Sequence, residues 1–170
     1  PRVFKKAKKI LKQNNIISKS GLLKHETKKL YKRYNYIKKN KIPYIIGKLA
    51  CSLNSYIIKN NTHITNQHSR NVSHLLRFNN QGILTTYKTI NSDNPKLNCR
   101  IDGLQKFSPV KIIIDKNLKI KLNSYIINNS LNSKTIIFHN SKNFKKIKTI
   151  RNKGVKLIYF AVNNNKEFNL

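Results

Sequence analysis

The sequence predicts an α/β layered fold with a central mixed, mostly parallel sheet. Three observations carry this. Short Ile-rich apolar runs recur at 44–51, 82–86, 110–115, 134–138 and 155–160, and β-branched residues favour strands. Segments with apolar residues three and four apart lie between them, the helical period. Asn, Gly and Pro punctuate the joins. Strand–helix–strand alternation of this kind builds parallel sheets with helices packed on them.

Residues 2–13 read as a basic amphipathic helix with Val3, Phe4, Ala7, Ile10 and Leu11 on one side. A polar loop follows to Gly21, then a second helix over 25–39 with Leu30, Tyr34 and Ile37 at helical spacing; Pro43 closes that unit. YIIGKLAC at 44–51 is a nearly continuous apolar run, the pattern of a buried strand. Asn60, Asn61 and Thr62 mark a turn. Residues 66–79 read as a helix with Val72, Leu75 and Leu76 facing inward, and GILTT at 82–86 as a strand. Residues 88–100 read as a polar loop anchored by Pro95. VKIIID at 110–115 is a clear buried strand, and 134–138 is another. A helix over 142–152 ends where Gly154 suits a C-cap, and VKLIYF at 155–160 is the last strand. The final AVNNNKEFNL follows a strand with a polar turn, after which a further element is expected.

The 170 residues suit one domain, and 38% hydrophobic content is enough for a core. The charge is extreme: 36 Lys+Arg against 5 Asp+Glu, formally +31. Such a surface attracts polyanions. Lys, Asn and Ile all have A/T-rich codons, so codon drift produces the same profile on almost any fold. Nucleic-acid surfaces lean on Arg for bidentate contacts, and Arg2, Arg33, Arg70, Arg77, Arg100 and Arg151 are well spread. Only non-specific nucleic-acid binding is expected. Cys51 and Cys99 fit no metal or redox spacing, and the five His show no zinc pattern, so no metal site is expected. There is no apolar run of 18 residues and no leader with an apolar centre, which points to a cytoplasmic protein without a membrane span. A chain that starts with Pro and holds no Met reads as a fragment or a processed product. No GxGxxG, P-loop, G-x-S-x-G or H-E-x-x-H motif occurs.

The informative stretch is 43–100. It carries K-L-A-C-S-L-N at 48–54, H-I-T at 63–65, H-L-L-R at 74–77, G-I-L-T-T at 82–86 and T-I-N-S-D-N-P-K-L-N-C-R at 89–100, with P-V-K-I-I-I-D following at 109–115. In order and spacing this resembles the reductase domain of the bacterial bifunctional riboflavin-biosynthesis deaminase–reductase. That family shows K-L-A-x-S-L-D-G, W-I-T, H-x-L-R, A-I-L-T-S, T-x-x-x-D-D-P-x-L-x-x-R and P-x-R-I-V-L-D.

The resemblance implies a dihydrofolate-reductase-like fold. It implies NADPH-dependent reduction of the ribosyl group of 5-amino-6-(5-phosphoribosylamino)uracil to the ribityl form. Asn61, Arg77, Leu97 and Arg100 match substrate-contacting positions; Ala50, His63, Thr89, Asp93 and Lys116 match cofactor-contacting ones. Lys48 and Asp93 are the candidates to guide sugar hydroxyls or supply a proton. Several positions depart from the pattern: Asn54-Ser55 stands for Asp-Gly, Asn61 for Ser, His63 for Trp, Asn94 for the second Asp of D-D-P, and Lys116 for Ser. Residues 1–40 are expected to be a helical lead-in to an absent deaminase half, and 41–170 a partial reductase domain that stops before the family's V-E-G-G segment. A homodimer or a deaminase partner is the expected assembly. Two other readings stand beside this one: a small basic nucleic-acid-binding protein, and an inactive remnant of the reductase.

Overall fold

The structure, a computed structural model, describes residues 6–57, 64–163 and 168. The chain divides into two units, Pro1–Leu49 and Ala50–Leu170.

Among its described residues the first unit holds three helices, α1 (Lys6–Gln13), α2 (Lys24–Leu30) and α3 (Lys32–Asn40), and none buries a residue. The single helix expected over 25–39 is broken at Tyr31, whose φ of −87° and ψ of 8° leave the helical basin. The unit is held by aromatic edges rather than a core. Tyr31 meets Tyr34, and Tyr36 meets Tyr44 at 5.4 Å between centroids. The Arg33 guanidinium lies 5.8 Å from the Tyr44 ring, a contact that orders a side chain without excluding much water. The strand expected at 44–51 does not form. An apolar run becomes a strand only where another strand's edge faces it. Here Tyr44 packs on α3, and Ile45 and Leu49 stay exposed.

The second unit starts its regular structure at α4 (Gln67–Phe78), where the Asn66 side chain accepts from Ser69 N at 2.9 Å, an N-cap. Its buried residue is His74, while Val72 and Leu75, expected inward, are exposed. Four strands follow: β1 (Gly82–Thr86), β2 (Val110–Ile114), β3 (Thr135–His139) and β4 (Lys156–Tyr159). They pair in the order β1-β2-β3-β4, and every pair is parallel. Ile83 lies opposite Lys111, Ile113 opposite Ile137, and Ile137 opposite Leu157.

Right-handed crossovers between sequential parallel neighbours all step the same way, so the connecting helices fall on one face of the sheet. Burial agrees. The core joins Ile113, Ile137 and Leu157 of the sheet to Ile90 of α5 (Tyr87–Asp93), Ile126 and Ile127 of α6 (Tyr125–Asn128) and Ile150 of α7 (Phe144–Asn152). On the opposite face Ile112, Ile114, Ile136, Phe138 and Ile158 are only half-buried, and Leu84 is exposed. The polar loop expected over 88–100 is helical in its first part, because α5 leaves β1 at once through Thr86, which keeps an extended φ of −112°. Gly154 has a φ of +88° just after α7, the left-handed stop that its place in the sequence suggested. No described helix is long and apolar enough to cross a membrane.

Candidate functional site

Helical spacing places His74 and Arg77 on one face of α4, three residues apart. The loop after α5 runs against that face. The Arg100 backbone N–H donates to His74 Nδ1 at 3.2 Å, and Arg77 Nη1 donates to the Asn98 carbonyl at 2.9 Å. Arg77 Nη1 also lies 3.5 Å from His74 Nδ1. A ring nitrogen that accepts from a backbone N–H is unprotonated, so the neutral imidazole is the form that fits. Its environment favours the same form. Burial comes first in lowering the His74 pKa, and the charges of Arg77 and Arg100 lower it further. Arg77 is half-buried; burial lowers its pKa first, and Arg100 adds to this. Two guanidinium groups therefore sit close enough to repel, and no carboxylate is among the groups that shift His74 or Arg77. Such a cluster is completed by an anion, and forked N–H donors suit a phosphate. One arm of Arg77 is spent on Asn98; the others remain on the same planar fork. The Arg100 side chain is exposed.

Leu97, in the same loop, is buried in the core at a φ of +53°. A left-handed conformation is costly for a branched residue and persists only where the surroundings enforce it. It lets the chain reverse so that Leu97 points into the core while Asn98 meets Arg77.

Thr89 and Asp93 lie on α5. Asp93 is exposed at its C-terminal end and takes a hydrogen bond from the Ser92 hydroxyl. The turn before Pro95 is held instead by Asn94, whose side chain accepts from Tyr125 N at 2.7 Å. Between Thr89 and Asp93, the Asn91 amide donates to the Lys119 carbonyl and accepts from Lys121 N. It thereby ties α5 to the loop that Lys116 opens. That loop is shaped by Asp115, fully buried, whose two oxygens accept from Lys119 N and Ile120 N at 2.7 Å each. Burial raises the Asp115 pKa, and the two N–H groups pull the other way. Asp115 is thus an internal staple rather than a surface acid.

Lys48 is an exposed residue of the first unit, and Ala50, partly buried, opens the second. Asn61 and His63 lie outside the described residues. Of the positions named from sequence, Arg77, Leu97 and Arg100 are brought together; Thr89, Asp93 and Lys116 belong to one stitched segment. His74, Asn91 and Asn98 were not singled out. The H-x-x-R spacing was a sufficient signal for His74; Asn91 and Asn98 act through partners far along the chain and left none.

Residues 43–169 match the family described as the RibD C-terminal domain. The riboflavin biosynthesis protein RibD of Bacillus amyloliquefaciens is 30% identical over 123 residues, 71% of this chain and 33% of that protein. The protein of the same name from Aquifex aeolicus is 29% identical over 142 residues, 81% of this chain and 39% of that one. The chain therefore spans little more than a third of the length of these relatives. Among solved structures, Acinetobacter baumannii RibD superposes with a TM-score of 0.71 at 19% identity, covering 92% of this chain and 44% of that one. A diaminohydroxyphosphoribosylaminopyrimidine deaminase/5-amino-6-(5-phosphoribosylamino)uracil reductase from Thermotoga maritima gives 0.65 at 21% identity, covering 89% and 48%. These likenesses identify the fold as the dihydrofolate-reductase-like one. The motifs that build the arginine cluster fall inside the matched range, and the chain belongs to the RibD C-terminal domain family.

Proposed function

We propose that this chain is the reductase part of a riboflavin-biosynthesis enzyme, reducing 5-amino-6-(5-phosphoribosylamino)uracil to its ribitylamino form with NADPH. The observation that carries the reading is the carboxylate-free cluster of His74, Arg77 and Arg100, built from two family motifs. Arg77 and Arg100 grip the ribose 5-phosphate, and neutral His74 holds the Arg100 backbone in place. Thr89, Asp93 and Lys116 offer a hydroxyl, a carboxylate and an amine to the ribose and phosphate groups of a dinucleotide, alongside Ala50 and His63. The nicotinamide, when bound, supplies the hydride that the ribosyl carbon accepts. The chain's own residues orient the opened sugar. Within the second unit Asp93 steadies its hydroxyls; Lys48 of the first unit is the other candidate that the family motif offers for guiding the sugar or supplying a proton. Hydride transfer demands mainly a close, oriented approach of two carbons, so a site poor in acids suffices. Residues 1–40 are read as the lead-in from a deaminase half and 41–170 as a reductase domain, in a cytoplasmic assembly that is homodimeric or paired with a deaminase.

The test is NADPH oxidation with the phosphoribosylamino-pyrimidine, using this chain and a longer one that continues the reading frame. Arg100→Ala is expected to raise the substrate dissociation constant roughly tenfold to a hundredfold, the loss of one charge-assisted contact, with NADPH binding nearly unchanged. If Arg77→Ala and Arg100→Ala both leave substrate binding intact in an active chain, the phosphate assignment fails.

A further inference from the structure

A second carboxylate-free cationic feature lies apart from the arginine cluster, at the amino ends of β2 and β3. A cavity of about 430 Å³ opens there, lined by Lys96, Lys106, Lys111 and Lys134, with Ser108 and Ser133 among its other walls. Its lining contains no acidic residue. Three of these lysines are exposed surface groups, which a chain this basic puts everywhere. Lys111 is different. It is 2% exposed, the second residue of β2, on the face covered by helices, and its Nζ donates to the Ser133 hydroxyl. Burial lowers its pKa, and no carboxylate acts to restore it. A buried ammonium is costly unless an anion meets it, and one hydroxyl offsets that cost only in part. Asn98 also lines the cavity, and its carbonyl serves Arg77.

We infer that this cavity binds a small phosphorylated molecule, its phosphoryl group on Lys111 and Lys134. The volume suits a compound of sugar-phosphate size, and the site is separate from the arginine cluster. The two share only the Asn98 residue, so occupancy here bears on the loop that positions Arg77.

The probe is glucose 6-phosphate, titrated calorimetrically into the full chain at fixed ionic strength. Saturable binding is expected, weakened roughly tenfold or more by Lys111→Gln and by Lys134→Gln. Lys134 is exposed, so its variant reports even where the buried substitution unfolds the chain. A control pair, Lys145→Gln and Lys148→Gln on α7, removes the same charge from an exposed helix and should change binding less than about twofold. Arg100→Ala, which leaves the Arg77–Asn98 bond in place, should also leave it intact, which separates this site from the proposed substrate site. The inference is overturned by no saturable binding up to about 10 mM, by equal losses in the lining and control variants, or by loss in Arg100→Ala alone. A twelve-residue oligothymidylate provides the other source of phosphate. If it binds through the lining lysines and glucose 6-phosphate does not, the cavity serves a nucleic-acid backbone and the inference falls.

Discussion

Asp115 shows how much one buried carboxyl can organise. Its two oxygens hold the N–H groups of Lys119 and Ile120, so the loop after β2 depends on it. Asp115→Ala leaves the Ile120 donor buried and unpaired and releases that of Lys119, with an expected loss of about 1–3 kcal/mol, read from the urea midpoint. Two histidines set the response to pH. His139 is buried and meets Tyr159 edge-on. Burial holds its pKa below the usual histidine value; a backbone hydrogen bond at Ser141 opposes this, Arg151 adds to it, and Asp115 opposes it. His74 is lowered in the same direction by burial and by Arg77 and Arg100. Below about pH 6.5 the unfolded chain binds protons that the folded histidines refuse. Stability therefore falls as the pH drops from about 6.5 through the lower folded values. Asp115 works with the opposite sign: its raised pKa contributes most in acid and loses that contribution as the pH rises through the folded value. Urea titrations at successive pH values between about 7.5 and 5.5 should show the loss, and a His139→Gln variant should show a shallower one. An unchanged slope in that variant would place the proton uptake elsewhere.

At the scale of elements, the sheet has one covered face and one half-covered face, and adjacent residues of a strand report on each. Ile137→Ala opens the core between β2 and β4 and should cost about 2–5 kcal/mol. Ile136→Ala, one residue away on the half-buried face, should cost clearly less. Equal losses would mean that both faces are packed alike. The end of α7 offers a sharper test. A Cβ on Gly154 would lie 2.5 Å from Leu131 Cδ2 and would also have to adopt a φ of +88°. Leu131 is exposed and can move, so the left-handed backbone sets the penalty: about 1–2 kcal/mol for Gly154→Ala, checked by thermal unfolding.

For the whole molecule the dominant fact is a charge of +31. Self-repulsion at that charge destabilises the folded state, and salt screens it. The melting temperature is therefore expected to rise between low and physiological ionic strength. The same charge should bind nucleic acid without sequence preference. Contacts to six to ten phosphates would lose about 10³–10⁵ in affinity between 50 and 200 mM salt, measured by fluorescence anisotropy. Sequence-selective binding that survives physiological salt would instead favour the nucleic-acid reading over the reductase. Polyanions are therefore expected to compete with small phosphates for the cationic groups at low salt.

The sequence by itself determined the elements whose signal is local. GILTT, VKIIID and VKLIYF are strands because β-branched residues fill them over a strand's length. Residues 67–78 and 144–152 are helices because their period and their Asn caps agree. The ordered motifs from 48 to 115 also placed the chain in its family before any geometry was known. Tertiary structure alone decided whatever depends on what lies opposite. YIIGKLAC carries the composition of a strand but pairs with none, since pairing needs a facing edge that no local pattern encodes. The start of the segment at 88–100 is polar yet helical, held by Asn91 and Asn94 through bonds that cross about thirty residues. Lys111 reads as one more cation in a basic chain; only the packed sheet shows it buried beside a serine with no acid to meet it. The arginine cluster has the same character. Arg77 and Arg100 are 23 positions apart, and it took the reversal at Leu97, enforced by the core, to bring them together around His74.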